Sequence, residues 1–97
     1  MPRRHALTEA QLETLLALPA AEPDLIRHWT LGAADLAVIE RRRGGHNQLG
    51  YALQLCAFRH PGRLLRSGEV IPEPSLRCVA GQLHISADTL AAYAARP

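Results

Sequence analysis

The sequence predicts an all-α fold, a compact bundle of five or six short helices ending in a helix-turn-helix-like pair. Three observations predict it. Sixteen leucines and sixteen alanines stand against eleven β-branched residues in 97, a balance that favours helix over strand. Apolar residues recur at helical spacing, as at Leu76, Val79, Ala80 and Leu83, rather than in alternation. Hydrophobic content of 47% with only 4% aromatics argues against disorder and for an aliphatic core. The length suits one domain and is too short for a TIM barrel or a complete dinucleotide-binding fold.

Residues 1–6 read as a mobile basic arm, and residues 7–97 as a single helical domain. Thr8 and Gln11 have capping-box spacing at the start of the first helix, with Leu7 and Leu12 at staple positions. Leu12, Leu15 and Leu16 are its expected buried stripe, and Pro19 its expected end. Pro23 suits the first turn of a second helix carrying Leu25, Ile26 and Trp29. A third helix begins near Gly32 or Ala33, buries Leu36 and Ile39, and is expected to stop at Gly44-Gly45.

Asn47 is the expected cap of a fourth helix running to about Arg59. Leu49, Ala52, Leu53 and Cys56 line one of its faces, and Tyr51, Leu55 and Phe58 another. Only a strip at Gly50, Gln54 and Ala57 lacks large apolar groups, so this helix is expected to be central. His60-Pro61-Gly62 ends it. A connection over 61–73 follows, with Leu64, Leu65, Val70 and Ile71 as anchors. Pro72 and Pro74 lead into a fifth helix. His84-Ile85-Ser86 forms a turn in which His84 takes positive φ, and Ser86 caps a sixth helix carrying Leu90, Tyr93 and Ala94.

The formal charge is +2, and all eleven cations are arginine. Such a charge does not by itself indicate a nucleic-acid partner. An arginine bias can reflect a GC-rich genome, although the guanidinium fork also suits phosphate. Cys56 and Cys78, both set among apolar residues, read as free, buried thiols of a reducing cytosol. No apolar run is long enough for a membrane span, and Glu9 and Glu13 interrupt any signal-peptide core. The expected location is cytoplasmic and nucleoid-associated.

Two constellations suit DNA. Residues 79–90 have helix-turn-helix spacing, with Ser86 capping and Thr89 exposed on the second helix. That helix offers Asp88 but no Arg, Lys, Asn or Gln in its first turns, so a plain αα-corner fits as well. The second constellation is Arg41-Arg42-Arg43, followed by His46, Asn47 and Gln48. Arginines there can contact phosphate, and Asn47 and Gln48 can pair with adenine. Arg3 and Arg4 can reach a minor groove as an arm. The plainer account is that cations at a helix C-terminus stabilise it by about 0.3–1 kcal/mol each.

Metal and catalytic readings find little support. Cys56-x3-His60 and Cys78-x5-His84 offer the order C-H-C-H, without the convergence a structural zinc site needs. Phosphate-binding glycine loops, nucleophile elbows and recognisable acid–base pairs are missing from the sequence. No metal, cofactor or catalytic residue is expected.

Several segments together carry a resemblance. They are Met1-Pro2-Arg3-Arg4, Leu25-Ile26-Arg27-His28-Trp29-Thr30, Asp35-Leu36, Arg41-Arg42-Arg43-Gly44 and Asn47-Gln48-Leu49-Gly50-Tyr51-Ala52. Gln54-Leu55-Cys56, Arg59-His60-Pro61-Gly62-Arg63, Val79-Ala80-Gly81-Gln82-Leu83 and Tyr93 continue it in order. The chain resembles the N-terminal, DUF4158-type region of transposases of replicative class II transposons, the Tn-three family. Trp29 stands where that family commonly has Tyr. The resemblance implies a helical module that binds the terminal inverted repeats, while a distant Asp-Asp-Glu domain cuts and joins strands. No segment here matches that catalytic part. The resemblance also implies further helices beyond residue 97.

The leading expectation is therefore binding of double-stranded DNA at transposon ends. Full-length transposase or a second copy of the chain are further expected partners, and a membrane is not. The alternative is a helical protein-interaction or self-association module without DNA contact. A shared face for Arg3, Arg4, Arg27, Arg41, Arg42, Arg43 and Arg63 favours DNA, and their scatter favours the alternative.

Overall fold

The computed structural model describes residues 8–87. Five helices follow one another: α1 (Glu9–Leu15), α2 (Glu22–His28), α3 (Ala33–Glu40), α4 (Gly45–Arg59) and α5 (Glu73–Leu83). There is no strand among the described residues. The arm over 1–6, the sixth helix and most of the second half of the helix-turn-helix pair lie outside them.

Local chemistry explains most helix ends. Thr8 Oγ1 accepts from the Gln11 N–H at 3.1 Å, and Gln11 Oε1 accepts from the Thr8 N–H at 2.9 Å. This is the expected capping box. Helix α2 has Glu22 and Asp24 in its first turn and Arg27 and His28 in its last, matching the helix dipole at both ends. At α3, the Asp35 carboxylate accepts from the Gly32 N–H at 2.9 Å. Helix α5 ends at His84, whose φ of 57° is the left-handed conformation expected there.

Helix α4 is the centre of the bundle, as its sequence predicts. It packs against α3 and α5, while α2 packs against α5. Leu49, Ala52, Leu53 and Cys56 are buried on it. They meet Leu25, Trp29, Ile39, Val79 and Ala80 in one aliphatic core built around the single tryptophan. Trp29 donates from Nε1 to the His60 carbonyl at 2.8 Å, and the His28 and His60 rings stack at 3.8 Å. These contacts fasten the end of α2 to the end of α4.

Two glutamines act as clasps. Gln54 on α4 takes both polar groups of Leu65, accepting from its N–H at 2.8 Å and donating to its carbonyl at 3.4 Å. Gln82 on α5 accepts from the Leu31 N–H at 2.7 Å and donates to the Trp29 carbonyl at 2.9 Å. Each pairs backbone groups that no helix or sheet ladder satisfies.

Several expectations need correction. Leu12 and Leu15 are exposed, and α1 buries none of its residues among those described. The helix stops at Leu15, ahead of Pro19. Chain beyond it holds it instead: Arg63 Nε donates to the Leu16 carbonyl at 2.8 Å, and buried Ser75 donates to the Pro19 carbonyl. Ile26 and Phe58 are exposed, whereas Ala57 is fully buried. In the 61–73 connection, Leu65 and Ile71 pack against the core, but Leu64 and Val70 face solvent. Helix α3 ends at Glu40, before Gly44.

Candidate nucleic-acid interface

The turn between α3 and α4 presents Arg41, Arg42 and Arg43, all exposed. Its shape follows from its neighbours. The N–H groups of Arg41 and Arg42 still bond back to the Val38 and Ile39 carbonyls, at 3.2 and 2.9 Å. Gly44 then takes a φ of 83°, which a residue with a Cβ adopts only at a cost. That reversal lets α4 begin at Gly45.

Asn47 is therefore not the N-cap; Gly44 occupies that position and Asn47 lies inside the first turn of α4. Its Nδ2 donates to the Arg43 carbonyl at 2.7 Å. Gln48 Nε2 donates to the Arg42 carbonyl at 3.1 Å. The Arg42 guanidinium lies over the Tyr51 ring, 4.3 Å from its centroid. His46 is half-buried in the same helical turn.

Of the described arginines, Arg59, Arg63 and Arg77 are in ion pairs, whereas Arg41, Arg42 and Arg43 are not; Arg27 and Arg66 are likewise exposed and without an ion pair, but each is a single cation away from this turn in sequence. Arg59 pairs with Asp35 through two hydrogen bonds of 2.7 and 2.8 Å. Arg63 pairs with Glu69 through two of 2.6 and 2.9 Å and also donates to the Leu16 and Leu64 carbonyls. Arg77 pairs with Glu73 one helical turn away. The Arg59 guanidinium, helped by the Gly32 N–H, holds Asp35 down to about 2. The Arg63 guanidinium, helped by the Arg66 N–H, holds Glu69 down to about 2. Arg41, Arg42 and Arg43 have no ion pair among the described residues. Their charge is left to solvent and whatever binds there.

The structure thus brings Arg41, Arg42, Arg43, His46, Asn47 and Gln48 into one turn and the helix start beside it. It removes Arg63 from the expected cluster, because that side chain is occupied in holding the 16–19 and 64–69 segments. Ser86 is exposed beyond the left-handed His84. Arg3, Arg4 and Thr89 lie outside the described residues. Tyr51 went unassigned as a site residue. Its signal was position, one helical turn beyond Gln48 and on the same side of α4.

His28 and His60 stack as a pair, without further metal-type ligands grouped beside them among the described residues. No group of three or more metal-type ligands occurs among the described residues. Burial pushes the Cys56 thiol up to about 12, and its Sγ faces the Trp29 carbonyl at 3.9 Å. Among the same residues, no helix is long and apolar enough to cross a membrane.

A family described as "Domain of unknown function (DUF4158)" matches residues 6–97. The chain is 47% identical over 96 residues to the transposase for transposon Tn3926 of Escherichia coli. It is 45% identical over 96 residues to that of Tn21 from Escherichia coli, and 43% to that of Tn501 from Pseudomonas aeruginosa. Each alignment covers 99% of this chain and 10% of the relative, so the chain spans about a tenth of the length of these transposases. No solved structure matches. The chain belongs to the DUF4158 family, whose sequence these Tn3-family transposases share across the matched stretch.

Proposed function

We propose that this chain is a DNA-binding module of a transposase and recognises the terminal inverted repeats of a transposon. One observation carries the reading. Arg41, Arg42 and Arg43 stand exposed and consecutive in one turn without carboxylate partners among the described residues, whereas the other unpaired arginines there, Arg27 and Arg66, are single. A compact positive patch of this kind suits the phosphates of duplex DNA. The transposase relatives supply the context. Arg3 and Arg4 extend the contact as an arm, and Ser86 and Thr89 belong to a second contacting element.

The reading assigns no strand cutting and no cofactor to the chain. Asp35 and Glu69 are each bound to an arginine. In the cell it acts in the cytoplasm, at the nucleoid, beside full-length transposase.

Binding to an inverted-repeat duplex and to a scrambled duplex, across a salt series, tests the proposal. Preference for the repeat is expected, with log K falling steeply in log salt. Replacing Arg41, Arg42 and Arg43 by Ala is expected to reduce that slope by about 2 to 3. Absence of binding to either duplex at low salt overturns the reading.

A second reading has its own support. Leu15, Ile26, Phe58 and Leu64 are all more than 60% exposed, and large exposed apolar groups favour association. An interaction module predicts concentration-dependent self-association in sedimentation, unaffected by replacement of Arg41, Arg42 and Arg43.

A further inference from the structure

Building on the phosphate-binding reading above, we propose that Asn47, Gln48 and Tyr51 are positioning residues of a sequence-independent phosphate clip. In this clip Arg41, Arg42 and Arg43 make the contacts, and the ligand is the phosphodiester backbone of duplex DNA. This departs from the adenine contacts that the residue types of Asn47 and Gln48 suggest.

The hydrogen bonds make the argument. Asn47 and Gln48 donate to successive carbonyls of the arginine turn, those of Arg43 and Arg42. A bidentate contact with adenine needs the amide oxygen and nitrogen of one side chain presented together at the base edge. Both amide nitrogens here face the protein's own backbone, so presenting the fork means breaking the bonds that shape the turn. Gln48 is also half-buried. The same two bonds are useful if the turn itself is the binding element. Three long side chains on a loose turn lose much conformational freedom on binding, and a turn fixed beforehand loses less.

Tyr51 completes the device. Its ring engages Arg42 at 4.3 Å. Cation–π contact holds the guanidinium beside the ring without neutralising its charge, which stays available to an anion. Tyr51 is itself packed against the core, so it holds Arg42 to a fixed part of the fold. Contacts of this kind set position and strength and carry no base information. Preference for the repeat then arises outside residues 41–51.

The test uses the whole chain and the two duplexes already named, with helical circular dichroism confirming that each variant folds. The N47A/Q48A double variant is expected to weaken binding to both duplexes several-fold, with the repeat-to-scrambled ratio unchanged. Tyr51→Leu, which keeps an apolar side chain, is expected to weaken both by about two- to fivefold. Tyr51→Phe keeps the ring face and is expected to retain binding. If N47A/Q48A collapses the ratio toward one, the amides read bases and the clip is overturned. Unchanged binding in both N47A/Q48A and Tyr51→Leu overturns it too. A parent chain that binds neither duplex fails at the earlier step, the DNA-binding reading itself.

Discussion

Gln82 of α5 holds the Trp29 carbonyl at 2.9 Å with its side-chain amide, while its own carbonyl takes the Leu31 N–H at 2.7 Å. One side chain thereby joins α5 to the link between α2 and α3, 51 and 53 residues away in sequence. Leu31 and Trp29 are both buried, so water cannot readily replace the amide. Gln82→Ala is expected to destabilise the fold by about 1–3 kcal/mol. Urea unfolding followed by Trp29 fluorescence measures this; a loss of only a few tenths would mean that the clasp is ornamental.

Acid is expected to weaken the fold in a defined window. Asp35 and Glu69 are held at about 2 when folded, below their ordinary 3.8 and 4.5. A depressed carboxylate stabilises fully above its unfolded value and loses that contribution as pH falls toward the folded one. Stability should therefore fall between about pH 4.5 and 2. Glu69 and Arg63 are each less than a fifth exposed, and Glu69→Gln should remove roughly 1–2 kcal/mol at pH 7 after allowance for screening. The Asp35–Arg59 pair is more open on its arginine side and should contribute less. Denaturant midpoints at pH 7, 4 and 3 check both; a Glu69→Gln chain with the parent's full acid dependence would contradict the assignment.

The two thiols should differ in reactivity. Burial pushes Cys56 up to about 12, so it holds almost no thiolate at neutral pH. Cys78, expected to be buried like Cys56, is only partly buried, because it lies beside the fully buried Val79 rather than on the same face of α5. An aromatic disulfide reagent at pH 8 is expected to label Cys78 first and Cys56 only as fast as the chain opens. Mass spectrometry of the labelled peptides decides the order, and equal rates would contradict it.

A pair of glycine substitutions separates turn from helix. Gly44→Ala places a Cβ at φ 83°, and 3.2 Å from His46 Cε1, with an expected loss of about 1 kcal/mol. Gly81 lies within α5 and a Cβ there meets no atom within 4 Å. Gly81→Ala should stabilise by up to about 1 kcal/mol. Thermal unfolding of the two variants should shift in opposite directions.

Features with local causes were legible in the sequence. The Thr8–Gln11 box depends on two residues three apart. The buried face of α4 depends on a period of 3.6, and Leu49, Ala52, Leu53 and Cys56 fell where that period put them. The left-handed His84 followed from the need for a turn between two apolar stretches. What stayed hidden depends on distant chain. The apolar stripe of α1 was real, but a stripe does not reveal whether anything lies against it. Glutamine clasps on Leu65 and Leu31 leave no local mark, since the partner is backbone. Arg63 looked like any surface cation until Glu69 folded back onto it. At the candidate interface the residue types were legible and their roles less so. Gly44 reversed the chain three residues earlier than a cap at Asn47 implied, which turned Asn47 from a cap into a brace.

The attachment of α1 has an evolutionary consequence. The segment just after the helix is held by hydrogen bonds to the Leu16 and Pro19 carbonyls and by Leu18 packing against the core, while the helix's own residues are not buried among the described residues. Substitutions along 9–15 that preserve helix propensity therefore carry little folding penalty. That stretch is open ground for sequence drift and for the acquisition of new contacts, whereas Arg63 and Ser75, which hold the hook, are not.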